Sequence, residues 1–321
     1  MWKFIVRRIL VSIPQIFVLS LLVFIMAQFM PGDALTGLIN DPDITPEAMQ
    51  AQREKLGLDN PWYIQYKDWI INAVQGDLGK SFSHKIPVTE LIDQRIWNTI
   101  WLALLSLVFI YAIAVPLGIL SGRYNDTLLD KTITGYTYVG FAAPTFIFGL
   151  VMVFFFGFKL QWFPTGGSVA PGLEPGTWEY VVSKLQHLLL PALSIALIGT
   201  VSTVQYLRSE IIDTKQKDFI KLARSKGVYE SRIYNKHVFR NSLLPVAALI
   251  GFEVSSLVTG SIFIEAIFNY PGMGQLFFQS ILIRDYSVVT ALVLLFGVIM
   301  ILGALLSDII MSIIDPRIRI K

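Results

Sequence analysis

Long apolar runs free of Asp, Glu, Lys and Arg recur along the chain at residues 9–30, 97–122, 132–158, 188–207 and 286–307. Each approaches or exceeds the roughly 20 residues that a helix needs to cross a bilayer. A sixth run, 243–264, is similar in length and is interrupted by one acid, Glu253. Hydrocarbon offers no water to backbone N–H and C=O groups, so these runs predict helices. The expected fold is therefore an all-α integral membrane protein. The first run follows a basic start (Lys3, Arg7, Arg8), as in a secretory signal. Its apolar part exceeds the roughly 7–15 residues of such a signal, and no small-x-small cleavage site follows. It is read as a retained first span.

Charge then sets the direction of threading. With the N-terminus in the cytoplasm, the inner pieces hold 17 of the 26 Lys and Arg residues and the outer pieces 9. Excess positive charge on the inside predicts cytoplasmic termini at both ends and an even number of crossings. That parity promotes 243–264 to a true span and gives six transmembrane helices. The expected organisation is a cytoplasmic N-terminus with the first helix (1–30), a large extracytoplasmic segment between helices 1 and 2 (31–97), and a five-helix core (98–321). The 31–97 segment is too long for a simple connector. Within it, PEAMQAQREKLGLDN predicts a helix that stops at Gly57. NPWYIQYKDWIINAV then spaces Trp62, Tyr66, Trp69 and Ile70 helically, a face for the bilayer, for the spans or for a soluble partner. Residues 163–178, rich in Pro and Gly, form a second outer loop.

Composition agrees: 54% of residues are hydrophobic and 15% charged, where soluble domains carry about 25% charged. A net charge of +3 gives no footing for nucleic acid. There are no cysteines, and His84, His187 and His237 lie far apart, so neither disulfides nor a metal site is expected. Gly79-Lys80-Ser81 ends like a phosphate-binding loop, yet the position that needs the first glycine of that motif is Val74. Without a complete phosphate loop, and without HExxH or G-x-S-x-G, no catalytic activity is expected of this chain. Glu253 is costly inside a membrane, about 2.5–3.5 kcal/mol on insertion scales. It either lines a translocation path or forms a structural pair, for instance with a neighbouring subunit. Asp308 suits a helix-end or packing role, and Pro116, Pro144 and Pro191 are positions for kinks.

The segment 208–240, with nine Lys/Arg against four Asp/Glu, joins the fourth and fifth spans. In DFIKLARSKG, Phe219, Leu222, Ala223 and Lys226 share one side of a helix, with Lys217, Lys221 and Arg224 elsewhere. Gly227 is a natural helix stop. A second helix over 230–239 follows, ending at Arg240, and Leu243-Leu244-Pro245 leads into the fifth span. Two short amphipathic helices on a basic cytoplasmic loop form a handle for a soluble partner.

The order Asp218, Ala223, Gly227, His237, Arg240, Asn241, Leu244-Pro245 resembles the cytoplasmic loop of ABC importer permeases. PGD at 31–33, GDLGKSF at 76–82, WFPTGG at 162–167, EAIFNYPGMG at 265–274 and DPRIR at 315–319 narrow the resemblance to the peptide/nickel branch, first permease subunit. In one departure, Lys221-Leu222-Ala223 stands where other branches carry Glu-Ala-Ala, which is compatible with the peptide branch. The resemblance implies a coupling helix seated in an ATPase subunit, with Asp218, Leu222, Ala223, Arg224, Lys226, Gly227, His237, Arg240, Asn241 and Pro245 as the coupling loop. It implies two cytoplasmic ATPase subunits that bind ATP and Mg, a second homologous permease, and an extracytoplasmic peptide-binding protein. The setting would be a bacterial or archaeal cytoplasmic membrane, and the cargo oligopeptides or dipeptides, with nickel and glutathione as alternatives. A secondary transporter or channel acting alone is the rival from another class; it would want repeats, paired charges or broken helices. Glu265, Phe268, Pro271, Gly272 and Gly274 are candidates for an outer gate or partner contact, with a plain turn as the other reading.

Overall fold

The computed structural model describes residues 2–29, 50, 53–54 and 57–314. Most of PEAMQAQREKLGLDN, with the PGD and DPRIR motifs, lies outside them. Apart from one isolated bridge, Lys80 to Pro87, the regular structure among the described residues is helical. The helices α3 (Val88–Arg123) and α6 (Trp178–Lys215), of 36 and 38 residues, form the central pair. At a rise of about 1.5 Å per residue both far exceed a hydrocarbon core of about 30 Å, so they project beyond it. Gly118 faces Leu207, Gly122 faces Ile211, and Gly199 faces Ile110, at a constant sequence offset. The two helices therefore run parallel, in register.

Parallel neighbours oblige the intervening chain to return across the membrane. The return is made by α4 (Leu128–Ala142) and α5 (Thr145–Met152), the latter continuing in wider π-helical turns over Val153–Lys159. The single span expected over 132–158 is thus a broken one, bent by 106° at Pro144, one of the positions named for kinks. The break falls where Pro144 has no N–H to donate and holds Ala143 extended, with ψ 122°. By contrast α3 passes Pro116, and α6 passes Pro191, without interruption.

A buried ion pair binds α4 to α6. The Arg208 guanidinium donates to both Asp130 oxygens at 2.7 Å, and the Asp130 side chain is 4% exposed. Ser121 of α3 and the backbone N–H of Asp126 also donate to this carboxylate. Lys215, at the end of α6, donates to the Gly122 carbonyl at 3.1 Å and to Asn125. These bonds gather the ends of α3, α4 and α6 at what is here named the basic end.

Beyond α6 come α7 (Asp218–Ser225), α8 (Glu230–Arg232) with a π-helical turn over Ile233–Val238, and α9 (Phe239–Gly260). The expected boundaries shift here: the chain is helical without a gap from Glu230 to Gly260, and the fifth span breaks at Ser261 before α10 (Ile262–Ile267). Then follow α11 (Met273–Leu282) and α12 (Tyr286–Ile314). α12 packs antiparallel on α9 where backbones touch: a Cβ at Gly303 would lie 1.6 Å from Ser255 Oγ and 2.6 Å from the Gly251 carbonyl. α1 (Trp2–Phe29) in turn runs antiparallel to α12, with Leu19 against Gly297 and Arg8 paired to Asp308 at 2.9 Å. The start of α1 and the end of α12 therefore share one end of the bundle. Among the described residues five helices are long and apolar enough to cross a membrane, and the bent pair makes six.

At the far end, the 76–82 motif is a bridged turn. Ser81, 2% exposed, donates to Asp285 Oδ2 at 2.5 Å. Asp285 also accepts from the backbone N–H groups of Ser83 and Val288, so it caps α12 while holding the turn. α2 (Trp62–Val74) lies on α1: Tyr66 bonds Ser20 at 2.8 Å and packs on Phe17 and Phe24, and Trp69 also meets Phe24. Of its expected aromatic face, Trp62 stays 59% exposed.

Two outcomes test this packing. Gly303→Ala is expected to lower stability by about 1–3 kcal/mol through overpacking. Gly135→Ala, with open space around its added methyl, should be neutral or slightly stabilising; thermal unfolding in detergent compares them, and equal melting would contradict the α9–α12 contact. Asp130→Asn should cost about 3 kcal/mol or more, because Arg208 then stays half-shielded and unpaired. The double variant Asp130→Leu/Arg208→Met should recover most of that loss, and an additive double variant would show that the pair is not coupled.

Candidate functional site

The segment 208–240 folds back onto the basic end as a seated arm. Lys217 is extended and starts α7, whose inward residue Ile220 is fully buried. α7 ends in a double-bonded stop: Gly227 N–H bonds the Arg224 carbonyl at 2.9 Å, and Val228 N–H bonds the Ala223 carbonyl at 3.2 Å. Gly227 sits at φ +75°, a left-handed conformation that glycine adopts at little cost. Across this turn Arg224 forks onto Glu230, at 2.7 and 3.3 Å, and pins α7 to α8.

Ile220, Ile233 and Val238 pack with Leu207 and Ile211 of α6 and Val246 of α9, flanked by Ala223 and Val228. Fully burying a side chain of this size contributes about 1.5–3 kcal/mol, so the arm moves with the helices beneath it. The single face expected for Phe219, Leu222, Ala223 and Lys226 is split. Ala223 turns inward with Ile220, one helical turn earlier, while Phe219 and Leu222 remain 42% and 55% exposed. Ile220 escaped the sequence reading because the Phe219–Leu222 stripe is as apolar as the Ile220–Ala223 pair. The split leaves Phe219 and Leu222 outward on α7, and Tyr229, 83% exposed, outward after the turn, so this patch of the arm is set among charged side chains.

The other residues of the expected coupling loop are distributed over α7, the π-helical turn and the start of α9. Asp218 lies exposed in the first turn of α7, bonded by Lys221 at 2.9 Å, which holds its carboxyl below the ordinary range. Lys226 forms the C-cap and is exposed, as is Gly227. His237 is half-buried, and its carbonyl accepts from Asn241 at 2.6 Å; Arg240 is exposed. Pro245 falls in the first turns of α9, with its side chain outside the described residues.

Two acids lie deeper. Glu253 of α9 is half-buried and accepts from the Tyr111 hydroxyl of α3 and from Thr203 of α6, the latter at 3.0 Å. Glu265 of α10 is fully buried; Ser261, Thr99 and the N–H of Gln275 donate to it at 2.7, 2.8 and 3.0 Å. It lies at the centre of the expected outer gate, and those residues prove to be interior. Phe268 is 1% exposed, Gly272 and Gly274 are buried, and Pro271 is half-buried. A Cβ at Gly272 would fall 2.4 Å from the Glu265 carboxyl, and one at Gly274 2.7 Å from Ile262 Cα. Carbonyls of Pro271 and Phe268 accept from Asn98 and Gly167, so the loop ties α10 and α11 to α3 and to the 163–178 loop. Burial pushes the Tyr270 phenol above its ordinary value. Any partner at this end would meet other residues first.

Comparison with known proteins supports this architecture. Residues 114–320 match the family model for the binding-protein-dependent transport system inner membrane component, and residues 1–103 match the N-terminal model of such membrane components. The chain is 39% identical over 320 residues to the oligopeptide transport system permease protein AppB of Bacillus subtilis (strain 168), covering 99% of this chain and 100% of that one. It is 33% identical over 321 residues to the glutathione transport system permease protein GsiC of Escherichia coli (strain K12), with full coverage of both. A native crystal form of the inward-facing MetNI methionine ABC transporter superposes with a TM-score of 0.56 at 16% identity, over 70% of this chain and 96% of that one. That likeness shows the fold, the importer-type permease bundle. By its matched domains and its full-length relatives, the chain belongs to the family of binding-protein-dependent transport system inner membrane components, a multi-pass permease subunit of the ABC type.

Proposed function

We propose that this chain is one of two homologous permease halves of an ATP-driven importer of peptides, worked from the cytoplasm through the 208–240 arm. The observation that carries the reading is an arm rigidly seated by Ile220, Ile233 and Val238 that still presents Phe219, Leu222 and Tyr229 outward. In this reading the basic end is cytoplasmic and both termini lie there, in a bacterial or archaeal cytoplasmic membrane. ATP and Mg belong to two ATPase subunits, and this chain itself is non-catalytic. An extracytoplasmic binding protein delivers the cargo to the opposite face, where residues 57–97 and the 163–178 loop lie. The 98–321 core, with its partner, encloses the path.

Peptide cargo is supported by the relatives: AppB serves an oligopeptide system, and glutathione, handled by the GsiC system, is itself a tripeptide. The arm suits the mechanical demand. Swinging a two-state transporter from 1:99 to 99:1 takes about 5.5 kcal/mol of differential interaction. Exposed ion pairs, at about 0–1 kcal/mol each, supply little of it. An apolar patch closed into a partner's cleft supplies more, and the fork from Arg224 to Glu230 keeps the patch in one shape.

Replacing Phe219 and Leu222 together by Asp is expected to weaken co-purification of the ATPase subunits at least tenfold, a change of about 1.4 kcal/mol. Both are exposed, so the melting temperature of the permease alone should hardly move. ATP-dependent uptake should fall with the association. A double variant that binds its ATPase subunits at wild-type strength would overturn the proposal.

A further inference from the structure

The outward faces of the spanning helices differ in chemistry. On α1 the exposed positions include Ile9, Ile13 and Phe17, and on α3 they include Trp101, Leu104 and Val108, as a lipid or protein contact requires. On α6 the exposed positions over residues 191–215 are Ser202, Tyr206, Ser209 and Asp213, at helical spacing on one face, with Gln205 half-buried beside them. Polar groups facing hydrocarbon without partners are costly. This face is therefore suited to water. It opens between α4, bonded to α6 through Gln205 and Arg208, and α9, bonded to it through Thr203.

Glu253 stands at the edge of this stripe. Its bond from Thr203 places it beside Ser202, and its bond from Tyr111 sets it near the middle of the apolar run of α3. Each carboxylate oxygen has accepted one hydroxyl and retains a free lone-pair direction. Among the described residues no Lys or Arg pairs with Glu253. A half-buried carboxylate held by two hydroxyls and facing a polar stripe is a receptor for a cation, and an extended peptide carries one at its amino end.

We infer that the α6 face bearing Ser202, Tyr206 and Ser209 is a wall of the transport path, and that Glu253, held by Tyr111 and Thr203, receives the ammonium end of the passing peptide. The stripe's hydroxyls would serve the peptide's backbone amides, which vary little with sequence, while Glu253 fixes which end is read. The identity of the cation rests on the peptide-import reading; the wet wall and its preference for positive charge do not.

The chain has no native cysteine, so single thiols can be placed cleanly at Ser202→Cys, Ser209→Cys and, on the apolar face, Val108→Cys. The assembled importer in membrane vesicles is treated with trimethylammonium-ethyl and sulfonatoethyl methanethiosulfonates, and adducts on this chain are followed by mass. Thiols at 202 and 209 should react and the thiol at 108 should not. At 202 the cationic reagent should lead the anionic one by roughly five- to tenfold, and adding Glu253→Gln should remove most of that lead. At 209, one helical turn from the Asp213 carboxylate, Glu253→Gln should change the ratio little. Excess trialanine should slow cationic labelling at 202, and N-acetyltrialanine should not. Labelling at 202 no faster than at 108 would overturn the wall. A ratio at 202 that is unchanged by Glu253→Gln, or that falls no more at 202 than at 209, would overturn the cation station. Equal protection by both peptides would overturn the ammonium assignment. Failure of the import reading is seen separately, as trialanine uptake that continues without ATP.

Discussion

Burial of Ile220, Ile233 and Val238 against Leu207 and Ile211 is the contact on which the proposed working of this chain depends. It makes the arm part of the bundle. An amphipathic segment lying loosely at a membrane surface would absorb a push by sliding. A segment whose apolar face is dry, and whose turn is closed at Gly227 and clamped from Arg224 to Glu230, transmits the push to α6. From there the path is short: Arg208 lies on α6 one turn from Ile211, and its fork grips Asp130 of the broken helix α4. α6 also carries Thr203, bonded to Glu253. Arm, broken span and interior carboxylate thus share one rod.

The rod is long because it must leave the hydrocarbon at both ends. α3 and α6 run side by side in parallel, an arrangement that forces α4 and α5 to carry the chain back. The return is broken, and the break has a local cause in Pro144 and a tertiary consequence. α5 is set across the bundle, where Phe148, Met152 and Phe156 join the core formed by Leu102, Leu190 and Phe268. At the far end the Glu265 carboxyl does by hydrogen bonds what Ile220 does by burial, drawing the α10–α11 loop onto α3.

Much of this was legible in the chain. Charge-free runs of sufficient length located the crossings, and the Lys/Arg bias pointed to an even number. The pairing of Arg8 with Asp308, which sets the start of α1 beside the end of α12 at one end of the bundle, agrees with that parity. The stop at Gly227 followed from the one residue that takes a positive φ cheaply. What was hidden depended on contacts distant in sequence. Hydropathy cannot show that 132–158 is bent, because both arms are equally apolar and a proline alone does not separate a mild kink from a break; α3 and α6 each carry one and continue. The inward role of Ile220 was obscured because an eight-residue helix offers two overlapping apolar stripes, and only the position of Leu207 and Ile211 decides between them. The interior place of Glu265, a candidate for an outer gate or partner contact, was hidden because its partners Thr99 and Gln275 lie outside its immediate neighbourhood. The polar outer face of α6 was in plain view as Ser202, Tyr206 and Ser209, yet it gained meaning only when the opposite faces were seen to be filled.

The most direct measurement of the central claim is cross-linking from the arm. A thiol placed by Leu222→Cys in the assembled importer, treated with a short photoactivatable thiol reagent, should join this chain to an ATPase subunit, while one placed by Ile220→Cys should give no such adduct. A transport-competent assembly in which position 222 yields only adducts to lipid or to this chain itself would contradict the account.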